Sequence, residues 1–328
     1  MLENAASNRQ NILVAATMAV FVAAASVAVA WLLHPVGWVG LPLAAVLYWA
    51  MRRRVRRRLA VLGQDIAPEW TAVLESEVSF YRTLKEDGRR RFEKLVQVFL
   101  DEVAITGVGT KVDTQTRVLV AASAVIPIFG FDDFEYGLGE VLIYPDSFNH
   151  SYDAESAEDR NILGMVGAKH LSGTMILSKP SLLAGFRNNT DKHNVGIHEF
   201  AHLIDAGSGD IDGVPPTADA KTMDPWVQWV GRELKRDGSF DDVDDYAYTN
   251  EAEYFAVLSE YFFENPTQLQ AKHPRLYDLM RRMYHQDPKK RFGPRKRKRR
   301  RKTRRNDPCP CGSGEKFKRC CRPKVVRG

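Results

Sequence analysis

The first sixty residues contain two long apolar segments followed by a dense cluster of arginines. Ile12–Leu33 is a run of 22 residues without a charge, long enough to cross a bilayer as a helix. Val36–Met51 has 16 residues and is short for a membrane span. Arg52–Arg58 carries six arginines, and such residues stay on the cytoplasmic side of a membrane. We therefore predict that residues 1–58 form a membrane hairpin with both termini in the cytoplasm.

Two alternatives to this topology remain open. The first segment alone could span the bilayer, with Val36–Met51 as an interfacial helix. Both segments could instead form a buried hydrophobic hairpin of a soluble protein, although these residues offer no polar face. In the preferred arrangement the protein lies in a bacterial inner membrane, and the rest of the chain is cytoplasmic.

Beyond residue 67 the apolar positions change to the spacing of amphipathic helices. Pro68–Val103 contains two apolar stripes separated by Asp87 and Gly88, and Thr114–Ile128 is a third helical pattern. Two shorter runs, Val141–Pro145 and Gly173–Ser178, are bounded by Gly or Pro and predict strands. This part of the chain is therefore expected to be an α+β domain.

One helix-patterned run contains the sequence His-Glu-x-x-His, formed by His198, Glu199 and His202. Two imidazoles at positions i and i+4 lie on one helix face and can reach a single metal ion. Glu199 points to the same side, where it can take a proton from a metal-activated water. The alternative interpretation is a helix with two surface histidines and a salt-bridging glutamate.

The boundaries of this metal helix follow from capping rules. Residues 189–191 offer side chains for the N-terminal cap, and the helix is predicted to run to about Ala206, where Gly207 ends it. His193 lies five residues before His198, about 140° around such a helix. We therefore do not expect His193 to be a ligand.

A second predicted helix, Glu251–Glu264, offers candidates for a third ligand. It is capped by Thr249 or Asn250, and apolar residues cover most of its circumference. Glu253 and Glu260 lie seven residues apart on one face of it. Because a buried carboxylate is costly unless it is paired or metal-bound, one of the two is the natural third ligand. Otherwise Glu253 forms a salt bridge at the helix start, and Glu260 bonds a core hydroxyl or a ligand histidine.

The strand at residues 173–178 precedes the metal helix closely. Zinc peptidases commonly bind the substrate backbone on an exposed edge strand, so this strand is either such an edge or an ordinary strand of the sheet.

Together these residues resemble the Mlc titration factor A family of zinc peptidases. The resemblance rests on the His-Glu-x-x-His motif, on Asp205, on Tyr246-Ala247 and on the long motif from Glu251 to Phe263. It covers about residues 67–291 and includes the Tyr144-Pro145-x-Ser147-Phe148 stretch.

The resemblance carries structural and functional implications. It implies a gluzincin-like α+β fold and aminopeptidase-type activity. It also implies that Glu253 is the third zinc ligand and that Tyr246 supports the oxyanion. Asp205 and Glu260 are further candidates, for residues that contact the ligands. Soluble members lack the N-terminal hairpin and the C-terminal tail found here, so the resemblance does not extend to their partners, such as a sugar-responsive repressor.

The positive charge of the chain is local. Of its 47 basic residues, 13 lie between Lys289 and Arg305, a run without an acid, which leaves 34 basic against 41 acidic residues elsewhere. The body is therefore mildly acidic and unsuited to gripping nucleic acid. Residues 292–305 are predicted to be a basic linker.

The four cysteines, Cys309, Cys311, Cys320 and Cys321, all lie near the C-terminus. No disulfide framework can hold the body together, which indicates a reducing compartment. A Cys-x-Cys pair and a Cys-Cys pair, separated by eight residues, can wrap one tetrahedral zinc. Residues 306–323 resemble the SEC-C motif, which implies a small zinc module and partners such as the export chaperone SecB or the ribosome.

The sequence thus predicts a membrane-anchored cytoplasmic zinc peptidase with one catalytic and one structural zinc, acting on a peptide or protein. Two other classes remain. One is a metal-holding regulator that sequesters a protein partner. The other is an adaptor whose basic tail docks ribosomes or nucleic acid. The presence of Glu199 favours the enzyme, because a ligand set alone does not need this residue.

Overall fold

The computed structural model describes residues 5–32, 34–146, 164–166, 173–209, 211–235, 242–292 and 316. Within them, the α-helices are α1 Ala5–Leu32, α2 Gly40–Leu62, α3 Pro68–Glu77, α4 Ser79–Thr83, α5 Glu86–Glu102, α6 Thr114–Ile128, α7 Lys179–Arg187, α8 Val195–Asp205, α9 Ala220–Glu233, α10 Glu251–Glu264, α11 Pro266–Lys272, α12 Pro274–Met283 and α13 Pro288–Phe292. The strands are β1 Ala104–Gly107, β2 Glu140–Tyr144, β3 Gly164–Val166 and β4 Thr174–Ser178. Short 3-10 helices cover Pro35–Val39, Ala206–Ser208 and Asp245–Thr249.

The strands form one small, mostly parallel sheet. Their order is β1-β2-β4-β3, with β1, β2 and β4 parallel and β3 antiparallel to β4. The register places the buried Val141 beside Met175 and the buried Ile143 beside Leu177. Both predicted strands are present, and the prediction of a mixed helix and strand domain is confirmed, with helices predominating.

Helix α8, which carries the His-Glu-x-x-His motif, lies at the centre of the domain. Its Phe200 and Ile204 are fully buried, and it contacts α6, α7, α10, β3 and β4. Gly196 allows the close approach to α6, because a Cβ at this position would lie 2.1 Å from Ser123 Oγ. Burial of a Phe side chain contributes about 1.5–3 kcal/mol, so packing holds this helix firmly.

Helix α10 crosses α8 and is buried almost throughout, as its sequence predicts. From Ala252 to Glu264 all of its residues except Glu253 are buried. Asn250 is the cap, since its Oδ1 accepts a hydrogen bond from the Glu253 amide at 2.9 Å. Pro266 begins the next helix and prevents α10 from continuing.

The two N-terminal helices run antiparallel to each other. Gly40 at the start of α2 faces Ser26, and a Cβ there would lie 1.8 Å from Ser26 Oγ. At the other end, Arg52 of α2 donates to the side chains of Asn8 and Asn11. One helix in the described residues, at Asn8–Leu32, is long and apolar enough to cross a membrane. The apolar part of α2 ends where the arginines begin.

Two predicted helix boundaries are wrong. Asp87 and Gly88 lie in the first turn of α5, and the break falls at Leu84 and Lys85, which have extended backbones. The metal helix does not start at residues 189–191, because Lys192 has a left-handed φ of 69° that interrupts any helix there. The cap is Asn194, and His193 therefore lies outside the helix.

The interpretation of residues 173–178 as an edge strand is also wrong. Strand β4 is an interior strand that pairs with β2 on one side and β3 on the other. Among the residues that the structure describes, the edge beside α8 is β3, which the sequence pattern did not predict.

The chain divides into two compact units, Met1–Arg291 and Phe292–Gly328. Most of the second unit, including the predicted basic linker after residue 292 and Cys309, Cys311, Cys320 and Cys321, lies outside the described residues. Ser147 and Phe148 of the quoted motif also lie outside them.

Candidate metal centre

Three side chains from two crossing helices converge on one point. The Nε2 atoms of His198 and His202 are 3.2 Å apart, and Glu253 Oε2 lies 3.0 Å from the first and 3.5 Å from the second. All three side chains are at most 18% exposed. The helical spacing of the two histidines and the first turn of α10 therefore bring together the ligand set that the resemblance implies.

The Nε2 atoms of His198 and His202 and the Oε2 atom of Glu253 form a triangle whose dimensions suit a metal ion. Zinc binds imidazole nitrogen and carboxylate oxygen at about 2.0–2.2 Å, so two ligands of a tetrahedral site lie about 3.4 Å apart. The three observed edges bracket that value. Only three protein ligands come together in the described residues, which leaves one tetrahedral position open. The donor set of two imidazoles and one carboxylate thus fits a catalytic zinc site.

Glu260 contacts the Nδ1 side of the His198 ring. Its Oε1 is 2.8 Å from His198 Nδ1, and its Oε2 accepts a hydrogen bond from the backbone amide of Asn194. A carboxylate at this place accepts the Nδ1 proton and leaves the Nε2 lone pair facing the centre. Glu260 therefore holds the ring of His198 in orientation, which corresponds to the hydrogen bond to a ligand histidine expected as one alternative.

Glu199 lies on the same face of α8 and is only 5% exposed. In the described part of the chain, no group forms a hydrogen bond with its carboxylate. Burial raises the pKa of Glu199 above its ordinary value, although the neighbouring His198 and His202 oppose this shift. A carboxylate with a raised pKa near a metal centre is suited to accepting a proton and giving it up again.

Tyr246 lies beside the centre and is 54% exposed. Its ring centroid is 6.1 Å from that of His198. Burial of the hydroxyl, followed by the charge of Glu253 and a hydrogen bond to it, raises the pKa of Tyr246 to about 12. The hydroxyl therefore keeps its proton near neutral pH and remains a hydrogen-bond donor beside the ligand triangle.

The segment that carries Tyr246 is anchored by a buried aspartate, Asp242. Its carboxylate accepts hydrogen bonds from Tyr261 at 2.6 Å and lies 3.1 Å from His273 Nε2. Its backbone carbonyl accepts a hydrogen bond from Lys192, in the segment that leads to α8, at 2.6 Å. Asp242 thus connects the Tyr246 segment to both sides of the centre.

Asp205, at the end of α8, organises the loop that follows. It is fully buried, and its Oδ2 accepts the Gly213 amide at 2.7 Å. Gly213 has a positive φ of 77° and approaches Glu251 closely, since a Cβ would lie 2.4 Å from the Glu251 carbonyl oxygen. Burial raises the pKa of Asp205 to about 6. Asp205 therefore supports a loop beside the centre, whereas Glu260 contacts a ligand directly.

Sequence reasoning missed two further residues of the site. Asn194 caps α8 through its Oδ1, which accepts the Ile197 amide at 3.1 Å, and its side chain donates to Glu264 at 3.2 Å. Burial raises the pKa of Glu264 to about 8. An asparagine four residues before His198 is the signal for the cap, but residues 189–191 offer the same side-chain chemistry.

Comparison with known families matches two parts of the chain. Residues 50–285 match the glucose-regulated metallo-peptidase M90 family, and residues 305–323 match the SEC-C motif. The second match covers the four-cysteine segment. The first includes both helices of the metal centre and ends before the basic run.

Individual relatives agree with the family match. The chain is 29% identical to an uncharacterized protein of Synechocystis over 71% of this chain and 89% of that protein. It is 28% identical to Mlc titration factor A of Escherichia fergusonii, over 69% of this chain and 89% of the relative. For Mlc titration factor A of Yersinia pestis the identity is 34%, over 46% of this chain and 60% of the relative. With the family match covering most of its length, the chain belongs to the glucose-regulated metallo-peptidase M90 family.

Proposed function

We propose that this protein is a membrane-anchored, zinc-dependent peptidase whose catalytic domain works in the cytoplasm. The observation that carries the proposal is the triangle of His198, His202 and Glu253, with Glu199 on the same helix face. In this proposal the three residues hold one zinc ion within a gluzincin-like domain. When bound, zinc acts as a Lewis acid on the substrate carbonyl and on the attacking water.

Glu199 is the proton carrier of the reaction. Its carboxylate accepts a proton as water attacks the peptide carbonyl, and it then gives this proton to the departing amine. The raised pKa makes this carboxylate a stronger base than an ordinary glutamate, which supports its role as the proton acceptor. Its burial keeps bulk water away from the transferred proton.

Tyr246 stabilises negative charge on the former carbonyl oxygen. Its hydroxyl faces the ligand triangle and remains protonated, so it can donate a hydrogen bond as the oxyanion forms. Donors of this kind contribute about 2.7–4 kcal/mol to transition-state stabilisation when they are fully preorganised. The anchor at Asp242 limits how far Tyr246 can move.

The substrate is an extended peptide with, in this proposal, a free N-terminus. Within the described residues, strand β3 is the edge of the sheet beside α8, and in this proposal the peptide pairs with its outer backbone groups. The aminopeptidase character follows from the family resemblance. It is the first property to test.

A panel of amino-acid anilides and internally quenched peptides tests the activity and separates exopeptidase from endopeptidase cleavage. We expect cleavage of anilides that stops after treatment with a chelator and returns when zinc is added. Loss of zinc without loss of cleavage would contradict the proposal. A protein that retains zinc in the triangle but cleaves no member of the panel would favour the alternative function, a metal-holding protein that sequesters a partner.

The N-terminal helices support the membrane anchor. The span Asn8–Leu32 has 25 residues, which corresponds to about 37 Å of helix, enough for a hydrocarbon core of about 30 Å. Gly37 in the 3-10 helix and Gly40 at the start of α2 both approach α1 closely, as small residues do in membrane helix pairs. The 3-10 helix and the apolar part of α2 together reach about 28 Å, which permits a second span.

The C-terminal segment supports a second role in docking. The SEC-C match covers all four cysteines, and we propose that they bind a structural zinc. The basic run before them would attract an acidic protein, such as an export chaperone or a ribosomal partner, or a nucleic acid. In this proposal the tail positions the peptidase near its substrates, and the domain boundaries are 1–58, 67–291, 292–305 and 306–323.

A further inference from the structure

The arginines that follow the apolar part of α2 have different surroundings. Arg58 is buried and pairs with Glu102 and with Glu135, the latter at 2.9 Å. Arg57 pairs with Asp101 at 2.7 Å. These ion pairs attach α2 to the peptidase domain at the end of α5 and at Glu135, in the segment before β2. Part of the cluster therefore has a structural role, and its positive charge is neutralised.

Arg53 and Arg56 differ from Arg57 and Arg58 in their exposure and in their partners. Both are exposed, and neither has an acidic partner among the described residues. The guanidinium of Arg53 lies over the ring of Trp49, 5.6 Å from its centroid. Tryptophan and arginine are typical of the interface between the hydrocarbon core and water. These two residues thus remain as free positive charges on α2.

A pocket of about 300 Å³ lies between α2 and the end of α5. Its lining contains three arginines and two acids: Ala50, Arg53, Arg54, Arg57, Asp101 and Glu102. Arg53 therefore supplies the unneutralised charge of the pocket, and Arg56 does not line it. The two acids are already bound by the other arginines, which leaves a net positive site with guanidinium donors on one wall.

The position of the pocket along the membrane normal follows from the helix pair. Arg52 contacts Asn8 and Asn11, where the candidate span of α1 begins. With a rise of 1.5 Å per residue, the segment from Arg53 to Arg57 lies about 2–8 Å beyond this level. The polar layer on each side of a bilayer is about 5–8 Å thick. The pocket therefore lies at the depth of the lipid phosphates.

We propose that this pocket binds the phosphodiester headgroup of an anionic phospholipid, with Arg53 as the residue that makes it selective for negative charge. The inference rests on the proposed membrane anchor, which sets the depth of the pocket. Guanidinium groups bind phosphate oxygens in paired hydrogen bonds, and zwitterionic headgroups add a cation that the net positive site disfavours. Because its walls come from α2 and α5, a bound lipid also strengthens the attachment of the anchor to the peptidase domain.

Native mass spectrometry of the full chain in a neutral detergent tests this site with short-chain lipids. The probes are dihexanoyl phosphatidylglycerol, dihexanoyl phosphatidylcholine and inorganic phosphate. We expect phosphatidylglycerol to bind more tightly than phosphatidylcholine, and Arg53→Gln to weaken it about fivefold, as expected for one arginine at an anionic surface. Arg56→Gln is the matched control, because it removes the same charge from the same helix outside the pocket. It should retain the preference.

Each result that would contradict the proposal overturns a different part of it. Equal weakening by both variants would indicate diffuse attraction and overturn the pocket. Equal binding of the two lipids would refute the selectivity for negative charge. If inorganic phosphate bound the pocket as tightly as phosphatidylglycerol does, the site would not be a lipid site. Short-chain lipids bind without a bilayer, so these results do not depend on whether α1 spans one. Release of the full chain from cell membranes by alkaline carbonate would instead refute the anchor itself.

Discussion

Glu260→Gln should weaken zinc binding at the His198, His202 and Glu253 triangle without removing any ligand. The two oxygens of Glu260 accept hydrogen bonds from His198 Nδ1 and from the Asn194 amide. A glutamine keeps the shape but offers one acceptor, so its amide nitrogen faces a donor at one of these contacts. The negative charge that makes the imidazole a better ligand is also lost.

The expected magnitude follows from these contacts. A hydrogen bond to a charged group contributes about 1.5–3 kcal/mol, and loss of such a partner of a ligand histidine typically lowers metal affinity 10- to 100-fold. The two figures agree, because a factor of ten corresponds to about 1.4 kcal/mol. We therefore expect the zinc dissociation constant to rise by a factor of about 10–100.

Peptidase activity measured across a series of buffered free-zinc concentrations gives this constant. The midpoint reports the catalytic site alone, because the cysteine module contributes no residue to the triangle. Glu264→Gln is the matched control, since Glu264 lies one turn further along α10 and bonds Asn194 but no ligand. An unchanged midpoint for Glu260→Gln, or an equal shift for Glu264→Gln, would refute the role assigned to Glu260.

Three further predictions concern separate parts of the protein. Tyr246→Phe should lower kcat more than it raises KM, because the lost hydrogen bond forms mainly in the transition state. Steady-state kinetics measure both constants, and a change in KM alone would indicate that Tyr246 acts in substrate binding instead. Reporter fusions after Arg58 should give a cytoplasmic signal if the N-terminal helices span the membrane twice, whereas a periplasmic signal would leave one span. Truncation after Pro294 should leave cleavage of small peptides intact and abolish salt-sensitive co-sedimentation with ribosomes, and retained co-sedimentation would contradict docking through the tail.

The sequence predicted elements best where a long apolar run fills the whole element. Thr114–Ile128 was delimited correctly from its apolar pattern, and the structure shows that Asp113 caps it through the Thr116 amide. Strand β3, with three residues, carries too little pattern to be recognised. Its position at the edge of the described sheet depends on its pairing with β4, which periodicity does not report.

In the candidate site, too, the sequence predicted some features and could not predict others. The spacing of His198 and His202 requires only helix geometry, and the structure brings both to one point with Glu253. The choice between Glu253 and Glu260 depends on which nitrogen of His198 faces each carboxylate, and this is set by the crossing of α8 and α10. A pattern of seven residues places both glutamates on one face but does not distinguish Nδ1 from Nε2. The family resemblance favoured Glu253, and Glu253 is the carboxylate that lies beside the Nε2 atoms of both histidines.

The start of α8 shows why local capping signals can mislead. Residues 189–191 and Asn194 all offer side chains that can accept a backbone amide. The left-handed backbone of Lys192 and the buried contacts of Asn194 with Gly185 and Glu264 decide between them. The contact with Glu264 joins residues 70 positions apart in the chain, so it becomes visible only in the folded protein.

The most direct test of the account compares zinc content and peptide turnover in wild type and Glu199→Gln, with both measured on the same preparation. Glu199 is not one of the three residues of the triangle, and glutamine matches its size, so the variant should fold and hold zinc there as the wild type does. Its amide cannot accept a proton, and turnover should fall to the background of the metal-free protein. Full zinc content with retained turnover would contradict the proposed mechanism at its centre.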